Sequence, residues 1–315
     1  MTLRYVPLEK FIYHNVKLSL SILTLSWCMA CGSAKVKGVA PMMAQVPSPM
    51  QEYIRAHGRI KDAIYPGRKE TLEGVLPKPV SLYLPPQAAT LGKLDLLIHF
   101  HGASYVPIDA MYHLEKPMAL AVVQLGSGSS VYGRPFEDAE VFRAFVNAIR
   151  NELSLQEIGD IYCSAFSAGY GAVRELLKSH FDDLDGILLL DGLHTDYIPE
   201  KTRLADGGTL NTVKLGDFLH YAEEAVAGRK SLIITHSEIF PGTYASTTET
   251  SQWLLEQLAL KRNAVLKEGA MGMQQLAETK QGGFRVLTFA GNSAPDHIDH
   301  FHGMLEFLNI LFEEP

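Results

Sequence analysis

Serine, histidine and acidic residues collect in this chain where apolar runs end. Six such ends read His99-Phe100-His101-Gly102, Gly126-Ser127-Gly128-Ser129-Ser130, Ser164-Ala165-Phe166-Ser167-Ala168-Gly169, Asp191-Gly192-Leu193-His194, Thr235-His236-Ser237-Glu238 and Asp296-His297-Ile298-Asp299-His300-Phe301-His302. A serine hydroxyl is a weak nucleophile until a base accepts its proton, and an acid can orient that base, so these types brought together could perform acyl transfer. The third group carries the sharpest signal. Ser167 stands between an apolar run and a stretch with helical spacing (Val173, Leu176, Leu177). A serine at such a strand-to-helix turn needs small residues two positions either side, because its backbone is strained and crowds the neighbouring strands. Ala165 and Gly169 meet that need, whereas Ser164 falls inside the apolar run. The following helix N-terminus favours negative charge nearby.

The runs that must position these ends cover residues 80–84, 94–100, 120–125, 161–166, 187–190, 232–234 and 284–289. Most are continuous rather than alternating, which is how strands buried on both faces of a parallel sheet read. Between them, residues 138–153 repeat apolar positions at helical spacing (Val141, Phe142, Phe145, Val146, Ile149, Leu153), as do Trp253, Leu254 and Leu258, and Met304, Leu305, Leu308 and Leu311. The alternation predicts an α/β fold: a doubly wound, mostly parallel sheet with helices on both faces. Ligands of such sheets bind at the carboxyl ends of the strands, where all six groups fall. Residues 192–230 are long for one connection; they hold a predicted helix over 216–227 and form a modest insertion that could shape a pocket.

With Ala165 in place of the commoner first glycine of a nucleophile elbow, the chain resembles the α/β-hydrolase superfamily, serine esterases and lipases in particular, from about residue 80 onward. The resemblance implies Ser167 as nucleophile and an oxyanion hole built from the N–H groups of Gly102 or Ala103 together with Ala168. It also implies a histidine after the last strand, where His297, His300 and His302 compete. Asp296 is expected to cap a helix whose apolar face runs through Ile298, Phe301 and Leu305, leaving His297 at its start as the base, with His300 as the alternative. For the acid, Asp191 directly ends a strand and Glu238 lies past the next; Asp196 and Asp299 stand further off. His101, His194, His236, Tyr105 and Tyr244 are expected to line the pocket.

The expected activity is hydrolysis of a carboxylic ester through an acyl-enzyme, on a small-molecule or acyl-ester substrate, with no cofactor. Two other readings stay open: a metal-dependent hydrolase using His99, His101 and the histidines at 297, 300 and 302, and a catalytically silent binding lipoprotein on the same scaffold. The glycine and serine run at 126–130 lacks the Gly-Lys-Ser/Thr ending of a phosphate cradle.

Of the 315 residues, 47% are hydrophobic and 20% charged, which excludes a disordered chain; the net charge of −7 without a basic run argues against nucleic acid. Residues 1–30 place Arg4, Lys10 and Lys17 ahead of an apolar stretch and small residues, the pattern of an export signal. Cleavage after Ala34, lipidation of Cys31 in a bacterial lipobox-like Ala30-Cys31-Gly32-Ser33, and retention as an anchor are the alternatives; any membrane contact is expected through this segment alone. The expected location is therefore the bacterial cell envelope, or the periplasm or exterior. Residues 31–50 read as a linker and 51–315 as the hydrolase domain. With Cys28 and Cys31 in the signal region, Cys163 is left without a disulfide partner.

Overall fold

The computed structural model describes residues 59–313. The expected signal with Cys28 and Cys31, the linker and the first residues of the expected domain lie outside the described residues. In chain order the strands are β1 (Arg68–Leu72), β2 (Val80–Leu84), β3 (Lys93–Phe100), β4 (Met118–Val123), β5 (Glu157–Phe166) and β6 (Gly186–Leu190), then β7 (Tyr197–Ile198), β8 (Thr209–Leu210), β9 (Ser231–His236), β10 (Asn263–Glu268), β11 (Gln274–Gln281) and β12 (Phe284–Phe289). The α-helices are α1 (Tyr105–His113), α2 (Ser129–Gly133), α3 (Ala139–Glu152), α4 (Tyr170–Ser179), α5 (Gly216–Val226), α6 (Thr247–Gln257), α7 (Ala294–His302) and α8 (Met304–Leu311).

Among the described residues, ten strands form one sheet in the order β1-β2-β4-β3-β5-β6-β9-β12-β11-β10, and β7 and β8 pair separately. From β4 through β12 the central strands are all parallel, so their carboxyl ends share one edge. β1 and β2 at one margin and β10 and β11 at the other pair antiparallel. This is the doubly wound, mostly parallel sheet expected from the sequence.

Every residue of β4, β6 and β12 is buried because helices cover both faces of the sheet. Leu96, Ile98 and Phe100 of β3 join Phe142 and Phe145 of α3, Val173 and Leu176 of α4, Phe218 and Tyr221 of α5 and Leu254 of α6 in one core layer. Leu97 of the same strand belongs to the other layer, with Val106 and Met111 of α1, Phe301 of α7 and Phe307 of α8. Neighbouring residues of a strand thus feed opposite cores, each fully buried Leu or Phe contributing roughly 1.5–3 kcal/mol.

Three details differ from expectation. α5 packs on the sheet like any crossover helix, so the insertion proper is residues 192–215, built around the β7/β8 pair. α1 was not legible because Pro107 interrupts the sequence; it falls in the first turn, where its missing N–H costs nothing. Asp296 does not cap α7. Ser293 does, with Asp296 completing the capping box from three residues on, and His297 lies inside the helix rather than at its start.

Candidate active site

Ser167 follows the last residue of β5 and opens a 3-10 turn, Ser167–Gly169, that leads into α4. Its φ of 49° is left-handed, the strain expected of a nucleophile elbow. The small neighbours have measurable reasons. A Cβ at Gly169 would stand 2.2 Å from the Phe100 carbonyl oxygen of β3. Ala165 is fully buried between β3 and β6, opposite Phe100 and Leu189.

Asp191 is the residue after β6, also with a left-handed φ, 43°. In the parallel register Phe166 lies opposite Leu190, so Ser167 and Asp191 leave the sheet as neighbours. The next residue, Gly192, runs so close that a Cβ there would meet the Ser167 carbonyl oxygen at 2.5 Å. From the other side, α7 presents His297, whose Nδ1 donates to Asp191 Oδ2 at 2.7 Å. A ring proton held on Nδ1 leaves Nε2 as the accepting atom. Burial opposes the charge of Asp191, but the hydrogen bond and charge of His297 outweigh it and hold the carboxyl well below the ordinary carboxylate range. Asp191 Oδ2 also accepts from Ser237 Oγ at 2.9 Å, and its backbone N–H donates to the Thr235 carbonyl at 2.9 Å, so the end of β9 fixes both its backbone and its carboxylate.

The His297 ring rests on Phe166, with centroids 4.5 Å apart. Phe166 is itself one of four nearly parallel rings, His101, Phe166, Phe301 and His99, at successive centroid distances of 5.8, 5.0 and 5.2 Å. Gly102 must be glycine beside this stack, since at φ 124° a Cβ would lie 2.4 Å from Phe301 Cζ. Its N–H donates to Gln124 Oε1 at 3.1 Å, and Tyr132 donates to the same oxygen at 2.7 Å. Of the expected oxyanion donors, Gly102 is therefore engaged by a side chain that sequence reasoning did not single out. Ala103 is exposed beside it, and Ala168 is the second residue of the turn after β5, where backbone N–H groups have no helical partner.

No family model matches the chain. No curated protein matches it either. Among solved structures it is similar to the S-formylglutathione hydrolase FrmB from Staphylococcus aureus, at 13% identity and a TM-score of 0.43 over 79% of this chain and 100% of that one. It is also similar to the feruloyl esterase module from Clostridium thermocellum in complex with sinapinate, at 13% identity and a TM-score of 0.45 over 87% and 96%. A third is Est1E from Butyrivibrio proteoclasticus, at 12% identity and a TM-score of 0.40 over 79% and 100%. At these identities the site is read from its own geometry.

The remaining expected residues divide. His101 stays at the site: it is half-buried, its Nδ1 is paired with the Tyr132 hydroxyl at 2.8 Å, and burial, with the nearby charge of His297, pushes its pKa down. His194 follows Asp191 closely, bonds the Ala245 carbonyl through Nδ1 at 3.0 Å, and lies edge-on to both Tyr170 and the exposed Tyr244. Tyr105 is half-buried against His302. His236 does not line a cleft: it is fully buried, with Nδ1 within 3.1 Å of the Ser237 carbonyl and Nε2 within 2.8 Å of Arg262 Nη1. The alternative base, His300, is also fully buried, its Nδ1 paired with Thr235 Oγ1 at 2.8 Å. His302 is buried as well, and the alternative acid Glu238 points to solvent. Asp196 is exposed and paired with Lys214, while Asp299 pairs with Arg59.

The His99/His101 pair does not converge as metal ligands would. His99 uses both ring nitrogens internally, on Ser164 Oγ at 2.8 Å and the His101 carbonyl at 2.7 Å. Among the described residues no three His, Cys, Asp or Glu side chains gather into a set that could hold a metal ion. Cys163 is a free, buried thiol whose pKa burial pushes far up. Among the described residues no helix is long and apolar enough to cross a membrane.

Proposed function

We propose that this chain is a serine hydrolase that cleaves carboxylic esters through an acyl-enzyme. Ser167 Oγ attacks the ester carbonyl carbon while His297 Nε2 accepts its proton. The imidazolium returns that proton to the leaving alcohol oxygen, and water then repeats the sequence on the acyl-Ser167 ester, releasing the acid and restoring the hydroxyl. Asp191 keeps the ring in the Nδ1–H tautomer and stabilises the imidazolium. The N–H groups of Ala168 and Ala103 receive the developing oxyanion, where a single preorganised donor is worth about 3–4 kcal/mol of barrier.

One observation carries this reading: the 2.7 Å contact of His297 Nδ1 with Asp191 Oδ2, formed at the sheet edge where Ser167 leaves β5 in a left-handed conformation. Short-chain aryl esters assayed with the full chain and with Ser167→Ala test it. Turnover lost in Ser167→Ala with an unchanged melting temperature is the expected result; undiminished turnover overturns the assignment.

The reading extends to location. The basic and apolar residues before Ala34 support export, with Cys31 carrying the lipid. Mass analysis of the chain recovered from a bacterial envelope is expected to give a diacylglyceryl-modified Cys31 at the new N-terminus; a chain starting at Lys35, or an intact leader, contradicts lipidation.

A further inference from the structure

Arg262, just before β10, is half-buried, yet all its side-chain acceptors among the described residues are neutral. Nη1 donates to His236 Nε2 at 2.8 Å and to Thr288 Oγ1, Nη2 to Ser251 Oγ at 2.8 Å, and Nε to Gln252 Oε1 at 3.1 Å. A guanidinium only donates, so His236 Nε2 must present its lone pair and the ring proton must sit on Nδ1. That proton faces two acceptors at 3.1 Å, the Ser237 carbonyl and Thr248 Oγ1, and Thr248 Oγ1 itself donates to the Ser237 carbonyl at 3.1 Å, so both routes end on Ser237. Ser237 Oγ donates in turn to Asp191 Oδ2 at 2.9 Å, the oxygen that receives His297. Each of these groups is otherwise hard to place: a half-buried cation with no carboxylate partner among the described residues, a fully buried histidine and a buried serine hydroxyl, joined end to end.

We propose that Arg262, His236 and Ser237 form a positioning relay for the proposed catalytic acid, in which Ser237 sets the orientation and basicity of the Asp191 carboxylate and Arg262 fixes the His236 tautomer that holds Ser237 in place. The inference rests on the hydrolase reading above. Its direction follows from charge. A carboxylate accepting from Ser237 shares its electron density between two donors; without Ser237 the whole of it falls on His297, which binds the imidazolium more firmly and makes the ring a poorer proton donor to the leaving group. The groups that face Asp191 and His297 are His101 beyond β3, His194 beyond β6, His236 from β9 and His300 on α7, and burial pushes the pKa of each of these four down.

The test compares wild type, Ser237→Ala, Ser237→Thr and Arg262→Met in the full chain. In Ser237→Ala, kcat is expected to fall about tenfold or more with little change in KM. The acidic limb of kcat/KM is expected to move to higher pH. Ser237→Thr, which keeps the hydroxyl, is expected to restore both, and Arg262→Met to fall between. The far-downfield proton resonance of the Asp191–His297 hydrogen bond, identified by its loss in Asp191→Asn, gives a readout independent of turnover: it is expected to shift in Ser237→Ala and return in Ser237→Thr. An unmoved limb and an unmoved resonance in a folded Ser237→Ala protein overturn the relay. Wild-type protein that shows the resonance but hydrolyses no ester overturns the hydrolase reading instead.

Discussion

Ser167 and Asp191 emerge from adjacent parallel strands one residue beyond the paired positions Phe166 and Leu190, and both take a left-handed backbone, at φ 49° and 43°. The nucleophile and acid of the proposed mechanism are thus placed by sheet register rather than by flexible loops. Each is strained, and the chain around them has no room to relax.

Gly192 makes that tightness measurable. A methyl group at this position would lie within 3 Å of the nitrogen, Cα and carbonyl oxygen of Ser167. Gly192→Ala is expected to destabilise the fold by about 1–3 kcal/mol, the usual cost of overpacking, and to lower kcat out of proportion by displacing the nucleophile. Urea unfolding and ester turnover on the same preparation check it; normal kcat at reduced stability contradicts the placement of Ser167.

Gly102 and Phe301 make a second pair. Gly102→Ala places a methyl on the Phe301 ring, and because Phe301 shares α7 with His297, activity is expected to fall. Part of the cost is the left-handed backbone and part the clash, so Gly102→Ala is expected to cost less in a Phe301→Ala background. Strict additivity in the double-mutant cycle, whose coupling for touching residues is typically about 0.5–3 kcal/mol, argues against the contact.

Acid stability follows from the buried imidazoles. Burial lowers His99 and His236 to about 3 and His300 to about 4, with Arg262 adding to the effect on His236. These folded values lie below the unfolded value of about 6.5, so under that pH the unfolded chain takes up protons that the folded chain refuses, and stability falls with pH by up to about 1.4 kcal/mol per unit for each. Asp191 adds to this at lower pH: its folded value is depressed, so its contribution is complete above the unfolded value of about 3.9 and is lost as pH falls through the folded one. Urea midpoints measured between about pH 7.5 and pH 4.5 are expected to drop steadily. A flat profile shows that these rings protonate inside the fold.

The strands carrying the chemistry were legible because burial on both faces writes itself as continuous apolar sequence; β4, Met-Ala-Leu-Ala-Val-Val, admits little else. The marginal strands were not. β1 reads Arg-Lys-Glu-Thr-Leu and β10 Asn-Ala-Val-Leu-Lys-Glu, mostly exposed, and backbone pairing rather than burial holds them. Ser167, Asp191 and His297 were expected from strand ends and the resemblance they supported; Ser167 and Asp191 leave adjacent strands and His297 meets Asp191, though α7 begins earlier than Asp296 suggested. His236 faces Arg262 rather than a pocket, a difference the sequence does not carry, because a histidine at a strand end reads the same whether it faces a cleft or a half-buried arginine. Gln124 carried no periodic or motif signal, and Ser237 stood in a strand-end group with nothing to mark it out there; their roles come from partners 22 and 46 residues away.

Every step of the proposed mechanism requires Ser167 as the nucleophile. Reaction of the full chain with a fluorophosphonate, followed by proteolysis and mass mapping of the adduct, asks this most directly. A single phosphonyl adduct on Ser167, absent in the unfolded chain and in Ser167→Ala, is the predicted result. No adduct on the folded protein, or one that persists in Ser167→Ala, contradicts it.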